Sequence, residues 1–453
     1  MEIQFLGATK TVTGSKYLLK TSDKKVLIDC GLFQGLKDLR LRNRYPLPIA
    51  PETIDAVILT HAHLDHTGYL PLLVKNGFRG KIYCTQITKE MCKILLLDSG
   101  HLQEEDAARA NRHGYSKHKP ALPLYTRADA EAVFPQLTAT PFHQDFSIGD
   151  LVFRYNHAGH ILGAACLIAK QHDTSILFSG DLGRMNDPCV ISPENIFAAN
   201  YLVIESTYGD RLHEKIDPKE QLGEIIKRTV RRGGTVIIPA FAVGRTQSIL
   251  YYIYQLKQEG KIPNIPVFLD SPMAQDMTEI MLRHKEEHRL SENICTAVTH
   301  MARYINTVEE SKQLDNYPFP KIIISASGML TGGRVLHHIK ALANDKRNVI
   351  VLSGYQAAGT RGDALLHGRN VIKIYGELVT VNSEVVALSN ISAHADYQEM
   401  IDWLKNITTP PRKVFITHGD PAAAESLQKK ITDTLHWSCE IPDYLQKELL
   451  CQN

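Results

Sequence analysis

The stretch Thr60-His61-Ala62-His63-Leu64-Asp65-His66 constrains this chain most. Four side chains able to bind a divalent metal fall within six positions, from His61 to His66. They directly follow a short aliphatic run at 56–59, whose branched residues suit a buried strand. Residues 67–75 read as a loop running into a helix. The cluster therefore belongs on the turn leaving a strand, where His61 and His63 can fold back towards one point with Asp65 and His66 beside them. Imidazole nitrogens with a carboxylate suit zinc or a similar metal.

Other potential donors repeat this placement. Residues 1–30 read as three short strands, and Asp29 closes the third. An acid there is either a turn-former or a partner orienting a metal-binding histidine. After strand character at 151–155, His157 and His160 compete for a ligand role. Glycines crowd around His160, which allows close backbone approach, so His160 is preferred and His157 is its neighbour. Asp181 follows the apolar run 175–178, Glu205 follows 201–204, and His418 follows 413–416. His394 lies in Ser392-Ala393-His394-Ala395-Asp396. Donors converging from neighbouring strand tips make a rigid site.

Between about 210 and 390 strands alternate with helices, which predicts a parallel α/β unit with its own sheet. None of its glycine-rich turns fits a Walker or dinucleotide fingerprint. The economical division puts residues 1–209 and 385–453 in one domain, with 210–384 inserted. His101, His113 and His118 read as surface or core residues, and the pair His337-His338 as a surface feature. Lys37, Arg40, Arg42 and Arg44 read as a solvated segment in preference to a phosphate-contacting one. The net charge is only +2, and 210–390 holds 23 Lys and Arg against 19 Asp and Glu. A polyanion would thus need a focused groove, which Arg245, Ser327 and Arg361 are expected to face. Eight cysteines, Cys30 to Cys451, form no CxxC pair, which suits a reduced, cytoplasmic protein. No leader pattern is expected, and no apolar run approaches the ~20 residues that span a bilayer.

The candidate ligands are His61, His63, Asp65, His66, His160, Asp181 and His418. These seven exceed the four of a single tetrahedral zinc and suit two metals sharing a bridging Asp181. A bridging hydroxide is a nucleophile at neutral pH, so hydrolysis of a phosphodiester or ester-like bond follows. Glu205 and His394 remain as an acid pair, with His394 donating a proton to the leaving oxygen and Glu205 orienting it.

In order, HAHLDH, AGHILG, SGDLGR, ESTYGDR, SAHAD and THGD resemble the metallo-β-lactamase superfamily. More narrowly they resemble its β-CASP RNA-processing nucleases, the group of the pre-mRNA 3′-end cleavage endonuclease and ribonuclease J. The resemblance covers nearly the whole chain. It implies an αββα sandwich with an inserted parallel α/β β-CASP domain, and a C-terminal part that is the RNA-metabolising segment. It implies two Zn2+, one at His61, His63 and His160, the other at Asp65, His66 and His418, bridged by Asp181. Asp29, Glu205 and His394 fall on family motif positions, and a histidine at 418 is similar to RNA-acting members. The expectation is a zinc-dependent ribonuclease acting on single-stranded RNA, endonuclease in preference to 5′-exonuclease. It has no membrane association and is compatible with a homodimer. The competing readings are a small-ester or thioester hydrolase on the same metal core and a non-catalytic RNA-binding relative.

Overall fold

The computed structural model describes residues 1–114 and 116–450. The chain divides into two compact units, Met1–Leu212 with His394–Asn453, and His213–Ala393. Cys451 lies outside the described residues.

The first unit is an αββα sandwich of two seven-stranded sheets. One runs Lys447–Leu449, Glu2–Phe5, Tyr17–Lys20, Lys25–Ile28, Ala56–Ile58, Lys81–Cys84 and Leu137–Ala139. The other runs Cys439–Glu440, Lys413–Thr417, Tyr201–Glu205, Thr174–Phe178, Ala165–Gln171, Leu151–His157 and Phe146–Ile148. Alternate side chains of each strand point to one face. Ile3, Phe5, Val26 and Ile58 from the first sheet share one core with Phe153, Leu167, Ile176, Val203 and Phe415 from the second. Lys447–Leu449 supplies an edge strand of the first sheet. Lys447–Leu449 pairs antiparallel with Glu2–Phe5.

Neighbouring strands of the second sheet are parallel where they carry the donors. Thr174–Phe178, Tyr201–Glu205 and Lys413–Thr417 run in the same direction, in register Phe178 with Val203 and Glu205 with Thr417. Their C-terminal tips lie at one end, which puts Asp181, Glu205 and His418 together. In the first sheet Lys25–Ile28 is parallel to Ala56–Ile58, and their tips carry Asp29 and the His61 turn. Asp396 also has a local task. It caps the helix Tyr397–Leu404, accepting from the backbone N–H of Gln398 and Glu399, so the segment bearing His394 ends in a fixed turn.

The second unit holds a six-stranded parallel sheet in the order Arg303–Tyr304, Val267–Asp270, Ile322–Ser325, Val236–Pro239, Val349–Leu352 and Glu384–Ala387. Its central strands are buried on both faces. Ile322 and Ile324 enter a core with Ile249 and Leu250, whereas Ile323 faces Phe268 and Leu314. The two compact units divide at 393/394. The strand Glu384–Ala387 bonds to Val349–Leu352, and Leu388 and Ile391 pack into the second unit's core.

Among the described residues all seven cysteines are free, and six are buried. No helix among them is long and apolar enough to cross a membrane.

Candidate metal centre

The turn after Ala56–Ile58 is held from below by Asp29. Its Oδ1 accepts from the Thr60 N–H at 2.8 Å and its Oδ2 from the Thr60 hydroxyl at 2.9 Å. The same Oδ2 meets His66 Nδ1 at 2.8 Å, which leaves His66 Nε2 directed at His418 and Asp181. Thr60 Oγ1 also lies 3.1 Å from His61 Nδ1, and Thr207 Oγ1 lies 3.2 Å from His418 Nδ1. Sequence reasoning passed over both threonines. Their signal was adjacency: Thr60 directly precedes His61, and Thr207 stands two positions after Glu205.

Close approach sets the glycines here. A Cβ on Gly31 would lie 1.5 Å from the Asp65 carbonyl oxygen, and one on Gly183 would lie 1.9 Å from the His160 backbone nitrogen. Asp29, His160 and His418 take left-handed φ values of 56°, 59° and 50°. Such backbone is costly for non-glycine residues and gathers at sites whose surroundings hold it in place.

Two groups of donors result. His61 Nε2 and His63 Nδ1 are 3.1 Å apart, and His63 Nδ1 and His160 Nε2 are 3.0 Å apart. Asp181 Oδ2 lies 3.4 Å from His61 Nε2 and 3.5 Å from His160 Nε2. In the other group His66 Nε2 is 3.2 Å from His418 Nε2, and Asp65 Oδ2 is 3.4 Å from that same nitrogen. Asp181 Oδ1 lies 3.1 Å from His66 Nε2. One carboxylate thus turns one oxygen to each group. Tetrahedral ligands at Zn–N distances of ~2.0–2.1 Å are separated by ~3.3 Å, so both groups have the spacing of ligands around an ion. The donor set, nitrogens and carboxylate oxygens without thiolate, fits zinc or a similar divalent metal.

The electrostatics agree with the spacing. Burial, reinforced by His61, pushes the His63 imidazole down to about 3, and burial also lowers His61 and His160. Burial thus favours the neutral form of these three rings, the form whose lone pair binds a cation. Burial acts downward on His66 and His418 too, but Asp181 and its carboxylate neighbours outweigh it and raise both. Asp65 and Asp181 are lowered despite burial by the histidines around them.

His394 stands beside this centre. Its Nδ1 lies 3.0 Å from each oxygen of Glu205, and its Nε2 is 3.9 Å from Asp181 Oδ2. Glu205 is fully buried and accepts from the Leu182 N–H at 2.6 Å. Burial lowers His394, but Glu205 prevails and raises it to about 8. His157 turns elsewhere and stacks on Phe142 with centroids 3.8 Å apart.

The remaining sequence candidates lie in the second unit. Arg245 is buried at the start of the helix Arg245–Gln258. The Arg361 guanidinium donates to the carbonyl oxygens of Lys373 at 2.6 Å and Leu330 at 2.9 Å. Ser327 Oγ bonds within its own turn, to Thr331 and Gly332. Arg361 and Ser327 thus brace the loops that carry them. His338 also departs from expectation. Far from being a surface feature, it is fully buried between Asp270 and Asp315.

Family models match three consecutive regions: the metallo-beta-lactamase superfamily over 11–219, the Beta-Casp domain over 246–365, and the Zn-dependent metallo-hydrolase RNA specificity domain over 378–442. Ribonuclease TTHA0252 of Thermus thermophilus is 34% identical, with 95% of each chain covered. The transcription termination factor FttA of Methanosarcina mazei is 32% identical over 95% of this chain and 69% of its own length. An RNase J-like protein of Methanocaldococcus jannaschii is 29% identical, with 97% of each covered. A crystal structure of a protein of unknown function from Enterococcus faecalis shares the fold, with a TM-score of 0.55 at 14% identity over 99% of both chains. With this donor constellation, this order of matched regions and relatives aligned nearly end to end, the chain belongs to the β-CASP nuclease branch of the metallo-β-lactamase superfamily.

Proposed function

We propose that this protein is a zinc-dependent ribonuclease that hydrolyses phosphodiester bonds of single-stranded RNA in the cytoplasm, as an endonuclease in preference to a 5′-exonuclease. The observation that carries the chemistry is Asp181, whose two oxygens face two separate donor groups beside the His394–Glu205 pair. RNA as the substrate rests on the relatives, one named a ribonuclease, and on the match to an RNA specificity domain. Free buried thiols support a reducing compartment.

In this reading His61, His63 and His160 hold one zinc, and Asp65, His66 and His418 the other, with Asp181 shared. When bound, such a pair supplies Lewis acidity and an activated water at neutral pH. The protein's own residues do the rest. Asp29 and Thr60 orient His66 and His61 so that the donor nitrogens are in place before any ligand arrives. Glu205 engages His394 Nδ1, so the proton free for transfer is on Nε2, the nitrogen facing the centre. As the phosphorus–oxygen bond to the leaving ribose breaks, His394 Nε2 gives that oxygen its proton. Glu205 stabilises the imidazolium before transfer.

The test separates proton transfer from metal binding. His394→Ala keeps its metal content and RNA affinity while cleavage falls by roughly 10²–10⁴-fold, the usual value of one positioned acid. An activated aryl phosphodiester, whose leaving group needs no proton, recovers much of the loss. Loss of metal in His394→Ala, or no recovery on the activated ester, contradicts the assignment.

A further inference from the structure

The first unit carries a concentration of positive charge that the centre does not use. Residues 34–50 and 107–126 together hold eight Lys and Arg against one acid, Asp38, in a chain whose net charge is +2. The fold ties these distant segments together, because Arg44 Nη2 donates to the Leu122 carbonyl oxygen at 3.0 Å. Each segment is also held in shape. Asn43 bonds both backbone groups of Phe33, at 2.9 and 2.8 Å, and Asn111 does the same for Ala121, at 2.7 and 3.0 Å.

Some cations elsewhere on this protein surface sit against carboxylates, as Lys219 does with Glu259 at 2.7 Å and Lys413 with Glu448 at 2.6 Å. Lys37, Arg40, Arg112, Lys117 and Lys119 are exposed, and no carboxylate lies within ion-pair reach of any of them among the described residues. Exposed Tyr45 and Leu122, 61% and 64% accessible, lie among these charges and offer apolar surface for a base. Clustered cations repel one another, and a polyanion relieves that repulsion while releasing its own counterions.

We infer that this face binds the phosphate backbone of RNA at a distance from the scissile bond, an inference that rests on the ribonuclease reading. The helix Gln86–His113 measures the distance. Thr85, its cap, donates to the Gly163 carbonyl oxygen in the His160 loop, and Arg112 lies near the other end, ~40 Å along the axis. The face thus runs outward from Gln34, whose N–H donates to Thr13 near the centre, and only long substrates reach its Arg112 end.

The test compares wild type with an Arg40→Gln, Arg112→Gln, Lys117→Gln, Lys119→Gln variant. RNA affinity is measured from about 50 to 300 mM salt on a long single-stranded RNA, the range over which phosphate contacts show their salt dependence. Turnover is followed on that RNA and on an activated aryl phosphodiester. The expected result is unchanged turnover on the aryl ester and roughly tenfold weaker binding of long RNA at low salt. The log–log salt slope is expected to be shallower by ~2–3, the loss of four single-strand phosphate contacts. KM on long RNA rises and kcat holds. RNA bound and cut by both proteins with equal slopes overturns this inference alone, even if the face then binds an acidic protein. RNA that neither protein binds or cuts overturns the ribonuclease reading with it.

Discussion

Each unit of this protein buries a knot of histidine and aspartate, and the two knots differ in what their histidines face. In the first unit, imidazole nitrogens face one another at 3.0–3.2 Å, and burial lowers His61, His63 and His160. In the second, Asp270 Oδ2 meets His338 Nε2 at 2.7 Å, Asp315 meets His338 Nδ1 at 2.6 Å, and Arg334 meets Asp270 at 2.7 Å. Burial alone would lower His338, but the two carboxylates raise it to about 9. The second knot therefore contains its own cation, and each carboxylate contact is matched by a donor. The first gathers histidine nitrogens with spacing suited to a cation. Residue type does not decide which buried cluster is a metal centre. What differs is that the first knot also sets histidine nitrogens against one another, whereas both ring nitrogens of His338 meet only carboxylates.

Removing the shared carboxylate gives the largest expected effect. Asp181→Ala lowers RNA cleavage by roughly 10⁴-fold or more and lowers metal content with it, since one group serves both donor sets. Turnover beside elemental analysis is the check, and a variant that keeps full metal and activity erases the distinction between the two knots. His338→Ala acts on stability instead. Leaving Asp270 buried without one partner costs about 3–5 kcal/mol, read by urea unfolding, with metal content unchanged. Metal lost from His338→Ala would make the second knot a metal site too.

A smaller effect follows from pH. His338 titrates near 6.5 when unfolded and near 9 when folded, so its stabilisation is complete below about pH 6.5 and declines as pH rises to 9. At ~1.4 kcal/mol per pH unit the full change is about 3 kcal/mol. The measurement is the difference in unfolding free energy between wild type and His338→Gln at pH 6 and pH 9. A difference that does not shrink at pH 9 contradicts a charged, carboxylate-clamped His338.

The sequence was most informative where chemistry is local. His61, His63, Asp65 and His66 are packed into one turn, and Asp29, Asp181, Glu205 and His418 each follow an apolar run that forms a strand. Packing of the two sheets on one core then does what spacing alone does not state, gathering residues as far apart in the chain as His66 and His418 to 3.2 Å. His338 was not legible because its partners Asp270 and Asp315 arrive from two other elements, a strand end and a helix. A short strand at 384–387 carries no mark of the sheet it will join, and only its pairing with Val349–Leu352 settles that. Arg361 illustrates a limit of charge reading: a basic residue in a glycine-rich loop serves the loop's own carbonyls as readily as a phosphate.

The most direct measurement is the metal content of the wild-type chain, purified without chelator and compared with folded protein after chelation. Two ions per chain, lost together with cleavage activity and restored together on adding zinc, is the result this account predicts. One ion or none in a folded, active chain would contradict it.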